Sequence, residues 1–151
     1  MSSDCTDIQV DDQLSRCTVI VVDDEQNILQ SLQRVFRKEP FQFAYAKSGA
    51  EGLELIARTE HVAVIVSDQR MPLMKGSEFL ARSRDIAPDA VRILLSGYSE
   101  IDTTMSAMNE GGVSRFIAKP WDEGLLLQAV REGVHMYQDV LQARAALPPG
   151  I

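Results

Sequence analysis

The run Val62-Ala-Val-Ile-Val-Ser67 ends directly in Asp68. Three other short apolar runs also end in polar residues. Val19-Ile-Val-Val22 ends in Asp23-Asp24, Val91-Arg-Ile-Leu-Leu95 in Ser96, and Arg115-Phe-Ile-Ala118 in Lys119. If these runs are parallel strands, three acids, a hydroxyl and a lysine gather at one edge of one sheet. That set suits a divalent cation and a phosphoryl group.

Working outward, strand-like runs alternate with helix-like segments. Cys17–Val22 is apolar and β-branched throughout, as a strand buried on both faces should be. Gln26–Lys38 carries Ile28, Leu29, Leu32, Val35 and Phe36 at helical spacing, and Pro40 follows. Phe41–Ala46 reads as a second strand. Ser48 with Glu51 three residues on is a capping-box pattern opening a helix with Ala50, Leu53, Ile56 and Ala57. After the third strand, Val62–Ser67, comes a loop Asp68–Lys75. A helix Gly76–Ala87 follows, with Phe79, Leu80 and Ile86 inward. Beyond strand Val91–Leu95, Ser99 caps a helix to about Glu110, which Gly111-Gly112 ends. Val113–Ala118 is the fifth strand. Pro120 leads into a last helix from about Trp121 to about Ala145. Five strands alternating with five helices predict an α/β protein with a parallel sheet covered on both faces. Ligands in such sheets bind beyond the carboxyl ends of the strands.

The 151 residues are the size of one domain, with 45% apolar and 25% charged residues. The formal net charge of -7 argues against direct nucleic-acid or anionic-membrane binding. Residues 1–16 are expected to form an acidic, flexible arm that includes Asp4, Asp7, Asp11 and Asp12. Residues 17–137 form the folded domain, and 138–151 the end of the last helix and a tail closing in Pro148-Pro149-Gly150. Cys5 and Cys17 make neither a disulfide framework nor a zinc motif. No run approaches the ~18 apolar residues of a membrane span. The N-terminus has no apolar signal core. A reducing cytoplasmic setting is expected.

Three carboxylates brought close repel one another unless a cation or proton compensates. Mg2+ suits all-oxygen ligation by carboxylates, water and a phosphate. A carboxylate can itself be the nucleophile, giving an aspartyl-phosphate. Each motif alone has a plainer explanation. Asp-Asp-Glu before a helix is a good cap, Asp68 an ordinary turn residue and Lys119 a surface lysine. Their joint placement at four strand ends favours a site.

Val-Val-Asp23-Asp24-Glu25, Ser67-Asp68-Gln-Arg-Met-Pro72, Leu-Leu-Ser96-Gly-Tyr98 and Ala-Lys119-Pro120-Trp121 together resemble the signature of two-component response-regulator receiver domains. The resemblance covers about Cys17 to about Tyr137. It implies a three-layer, doubly wound, flavodoxin-like (CheY-like) fold with strand order 2-1-3-4-5. It also implies that Asp68 accepts phosphate from a sensor histidine kinase or phosphotransfer protein. Asp24 would ligate Mg2+ (or Mn2+) directly and Asp23 through water. The backbone carbonyl of Arg70 would be the third protein ligand beside Asp68. Ser96 would bind a phosphoryl oxygen and report phosphorylation; Lys119 would pair with the phosphate, and its bond to Pro120 would be cis. Phe116 falls at the family's switch aromatic, where many members have tyrosine; as a strand residue it also reads as core. Arg70, beside the acceptor, is expected to change the lifetime of the phosphorylated state.

The chain would then be a signalling module that catalyses its own phosphorylation and dephosphorylation, with any output in a fused or separate domain. The Lys-Pro-Trp-Asp pattern and long last helix are similar to receivers fused to HD-type phosphodiesterases. Partner contacts would change on the face of the Ser99–Glu110 helix, fifth strand and last helix, with Tyr98, Ile101, Met105 and Met108. Leu127, Val130, Val134, Tyr137 and Leu141 recur at heptad spacing. They could serve a homodimer or pack on the sheet. A helix of that length, ~37 Å at 1.5 Å per residue, is expected to project beyond the sheet. Two alternatives remain. A haloacid-dehalogenase-type Mg2+ phosphatase would place Asp-x-Asp after the first strand, which Asp23-Asp24 lacks. A binding-only pseudo-receiver would not need the full acid, serine and lysine set.

Overall fold

The computed structural model describes residues 14–97 and 112–146. The expected Ser99–Glu110 helix, with Tyr98, Ile101, Met105 and Met108, lies outside the described residues. So do Cys5, most of the arm and the Pro-Pro-Gly tail.

Five strands, β1 (Thr18–Val22), β2 (Gln42–Ala46), β3 (Val62–Asp68), β4 (Val91–Ser96) and β5 (Arg115–Ala118), form one parallel sheet in the order 2-1-3-4-5. Four helices are described whole: α1 (Gln26–Phe36), α2 (Gly49–Arg58), α3 (Gly76–Ile86) and α4 (Glu123–Ala145); residues 14–16 are also helical. Every residue of β1, β3 and β4 is buried, because helices cover both faces of these central strands. One core lies between the sheet and α1 with α4, built on Leu32, Phe36, Leu126 and Val130. The other lies under α2 and α3, built on Ile56, Phe79 and Leu80. Each fully buried side chain of this size contributes about 1.5–3 kcal/mol by leaving water.

The element ends refine the sequence reading. β3 and β4 run one residue further than expected, so Asp68 and Ser96 are strand residues, not loop residues. Gln69 extends the ladder, its amide donating to the Leu95 carbonyl at 3.0 Å. The last helix begins at Glu123, not Trp121, because the Asp122 side chain caps it by accepting from the Leu125 amide. Ile86 is exposed; Ser83, one turn after Phe79, takes the inward position. In α2 the buried face is Gly49, Gly52 and Ile56, and Ala50 and Ala57 are exposed.

The heptad spacing of α4 is core spacing. Val130, Val134 and Tyr137 are buried against the domain's own sheet, and Leu127 and Leu141 pack on the same core. The end of α4 does not project: Arg144 holds Asp89 through both terminal guanidinium nitrogens. Because Arg144 is more than half exposed, water screens the pair. Arg144→Ala is therefore expected to cost under about 1 kcal/mol in urea unfolding. A loss above 2 kcal/mol would show that this fork, not apolar packing, holds the helix end.

Candidate functional site

The sheet order puts the ends of β1, β3, β4 and β5 side by side. Asp23 follows β1, Asp68 ends β3, Ser96 ends β4 and Lys119 follows β5. Ladder bonds continue into the site: the Asp23 amide donates to the Ala46 carbonyl at 3.1 Å and the Lys119 amide to Ser96 at 2.9 Å. One carboxylate oxygen from each of Asp23, Asp24 and Asp68 lies within 4.8 Å of the others. The Lys119 ammonium hydrogen-bonds Asp68 Oδ1. The Lys119–Pro120 peptide is cis.

Burial separates the acids. Asp23 and Asp68 are buried and Asp24 is exposed. Asp23 Oδ1 accepts from the Glu25 amide at 2.9 Å. Its Oδ2 is buried with no hydrogen-bond partner among the described residues. Desolvation, reinforced by the neighbouring Asp68 and Asp24, pushes the Asp23 carboxyl up to about 6, against the Glu25 hydrogen bond and Lys119. The capping explanation of Asp-Asp-Glu fails here: α1 has no side-chain cap, and Asp23 serves the turn before it. An orphaned buried carboxylate oxygen beside two others fits a hard divalent cation.

Ser96 is buried, and its hydroxyl donates to the Gly97 carbonyl at 3.4 Å. Arg70 is exposed at the start of the loop after β3. Phe116 is half-buried and lines a groove with Pro120 and Leu125, which is neither a sealed core position nor a free one.

Gln69, Gly76 and Leu73 have no role at the site in the expectations drawn from the sequence. Gln69 is buried and binds Ser77 with its side chain. Gly76 sits so close to β3 that a Cβ there would lie 2.1 Å from the Asp68 carbonyl oxygen. Leu73, fully exposed, has φ 70° and centres a γ-turn closed by Met74 N donating to Pro72 O at 2.8 Å. Such turns are rare and strained. A glycine opening a helix straight after the loop was the one available signal.

Among the described residues, no helix is long and apolar enough to cross a membrane. The response regulator receiver domain family matches residues 19–131. The chain is 40% identical over 121 residues to the hydrogenase transcriptional regulatory protein HoxA of Bradyrhizobium diazoefficiens, covering 80% of this chain and 24% of that one. It thus spans about a quarter of that relative's length. It is 29% identical to the sporulation initiation phosphotransferase F of Bacillus subtilis, covering 79% of this chain and 91% of the relative. The solved signal receiver domain of an HD domain-containing protein from Pseudomonas fluorescens Pf-5 superposes with a TM-score of 0.78 at 32% identity, covering 88% of this chain and 95% of that one. With the sheet order and the acidic pocket, these matches place the chain in the response regulator receiver family, the phospho-accepting, CheY-like modules of two-component signalling that a histidine kinase or phosphotransfer protein serves.

Proposed function

We propose that Asp68 is the phosphoacceptor and that residues 17–137 form the working unit. An Asp68 carboxylate oxygen attacks phosphorus on the donor's phosphohistidine. An O–P bond forms, the P–N bond breaks, and the electron pair leaves with the imidazole. Lys119, already paired with Asp68, stays beside the new phosphoryl oxygens, and the Ser96 hydroxyl turns from Gly97 towards one of them. Asp23, Asp24, Asp68 and the Arg70 carbonyl would hold Mg2+, which would neutralise charge on the transferring group. The observation that carries this reading is the acid cluster itself, with its orphaned Asp23 Oδ2 and one lysine on Asp68.

Phe116 is the proposed switch aromatic, turning in its groove as Ser96 moves. The proposed setting is the cytoplasm. The output lies in a fused or separate domain, either transcriptional as in HoxA or of the HD kind. A homodimer through α4 would use the exposed Leu125, Met136 and Val140, since the heptad seam is spent on the core.

The test is intact mass after incubation with acetyl phosphate and Mg2+, beside Asp68→Asn. A labile phosphate adduct on the parent and none on the variant is the expected result. No adduct from acetyl phosphate, phosphoramidate or a histidine kinase would sink the assignment.

A further inference from the structure

The geometry points to Gln69 as a positioning residue that latches the acceptor loop. This rests on reading Asp68 as the acceptor and the acid cluster as a cation site. Gln69 is 2% exposed and uses all its polar groups. Its amide donates to Leu95 O at 3.0 Å, and its carbonyl accepts from the Gly76 amide at 3.0 Å. Its Oε1 accepts from the Ser77 amide at 2.8 Å, and its Nε2 donates to Ser77 Oγ at 3.2 Å.

These bonds close a neck. The chain leaves β3 at Gln69, runs through residues 70–75 and returns at Gly76-Ser77. Lys75, at the N-cap position of α3, makes no side-chain cap bond. Gln69 supplies that cap from across the loop, answering an amide the helix leaves open. On the other side of the neck the Ser67 hydroxyl donates to the Asp68 carbonyl at 3.0 Å. The backbone of Asp68 and the peptide joining Gln69 to Arg70 are therefore held from both directions. The strained turn at Leu73 lies inside the closed loop, so opening the neck would let the loop relax and carry the Arg70 carbonyl away. Groups that orient ligands from behind typically change metal affinity about 10–100-fold when removed.

The test uses Mn2+ alone, with free ion read from its electron paramagnetic resonance signal. Gln69→Met keeps volume and charge but cannot latch; its Kd is expected to rise about tenfold. Ser77→Ala keeps the backbone donor and loses the hydroxyl, so a rise of about threefold is expected. In the Gln69→Met background, Ser77→Ala should add nothing. A Gln69→Met Kd within twofold of the parent, or independent effects in the cycle, overturns the latch. If the parent binds no Mn2+, the cation reading falls instead. The latch is then judged by Ser77 amide exchange: Gln69→Met should speed it at least about tenfold, and unchanged exchange overturns it.

Discussion

Gly76→Ala is expected to destabilise the protein by about 3 kcal/mol, at the upper end of overpacking costs, and to slow phosphate labelling of Asp68. The new Cβ would sit 2.1 Å from the Asp68 carbonyl oxygen, 2.9 Å from its carbonyl carbon and 3.0 Å from Gln69 Cα. All three atoms are backbone, so no rotamer change relieves the clash. Either the end of β3 or the start of α3 must move. Either shift pulls at the Gly76–Gln69 and Ser77–Gln69 hydrogen bonds. Gly49→Ala is the internal control. Its Cβ would meet Met74 Sδ at 2.6 Å, and its three nearest atoms all belong to the Met74 side chain. A thioether can swing away. Gly49→Ala should therefore stay within about 1 kcal/mol of the parent. Urea unfolding of both variants checks the contrast. Equal stabilities would mean that α3 can slide without disturbing the acceptor strand.

How much of this is legible in the sequence depends on where the cause lies. Strand ends are local: an apolar run followed by a carboxylate reads directly, and parallel pairing does the gathering. Asp23, Asp68, Ser96 and Lys119 were readable for that reason. Gln69 was not, because its meaning comes from Ser77 across a loop, and a glutamine after a strand has no local signature. Gly76 reads as an ordinary helix start until the sheet brings its backbone against Asp68. The heptad spacing of α4 was ambiguous in principle, since a stripe at 3 and 4 residues suits a sheet face as well as a partner helix. Burial of Val130, Val134 and Tyr137 decides it. Arg92 was hidden inside an apolar run. It is tolerated in buried β4 because its guanidinium donates to the Gly112 carbonyl at 3.1 Å and the Ala87 carbonyl at 3.2 Å.

Asp23→Asn is expected to stabilise the metal-free protein by about 2 kcal/mol at pH 7, within the linkage limit derived below, while abolishing its stabilisation by Mg2+. The sign follows from linkage. Burial raises the Asp23 carboxyl from 3.8 to about 6, so between these values the folded chain holds a proton that the unfolded chain has lost. Stability from this group is complete below about pH 4 and is lost as pH rises through about 6. Two units correspond to about 3 kcal/mol, an upper figure. Asparagine keeps the acceptor for the Glu25 amide, removes the buried charge and gives the neighbouring carboxylates a donor. Subtracting the variant's pH profile from the parent's cancels the groups that do not interact with Asp23. The difference should open between pH 4 and pH 6 and stay constant above. Mg2+ at one hundred times its Kd would return about 2.7 kcal/mol to the parent at pH 7. It would return progressively less below pH 6, where the proton competes for the same oxygen. A parent–variant difference independent of pH, or a variant less stable than the parent at pH 7, would mean that Asp23 is not the weak acid of the pocket. The burial that weakens the metal-free protein is then also what makes the pocket demand a cation, so stability without metal and affinity for it should trade against each other in any substitution at Asp23.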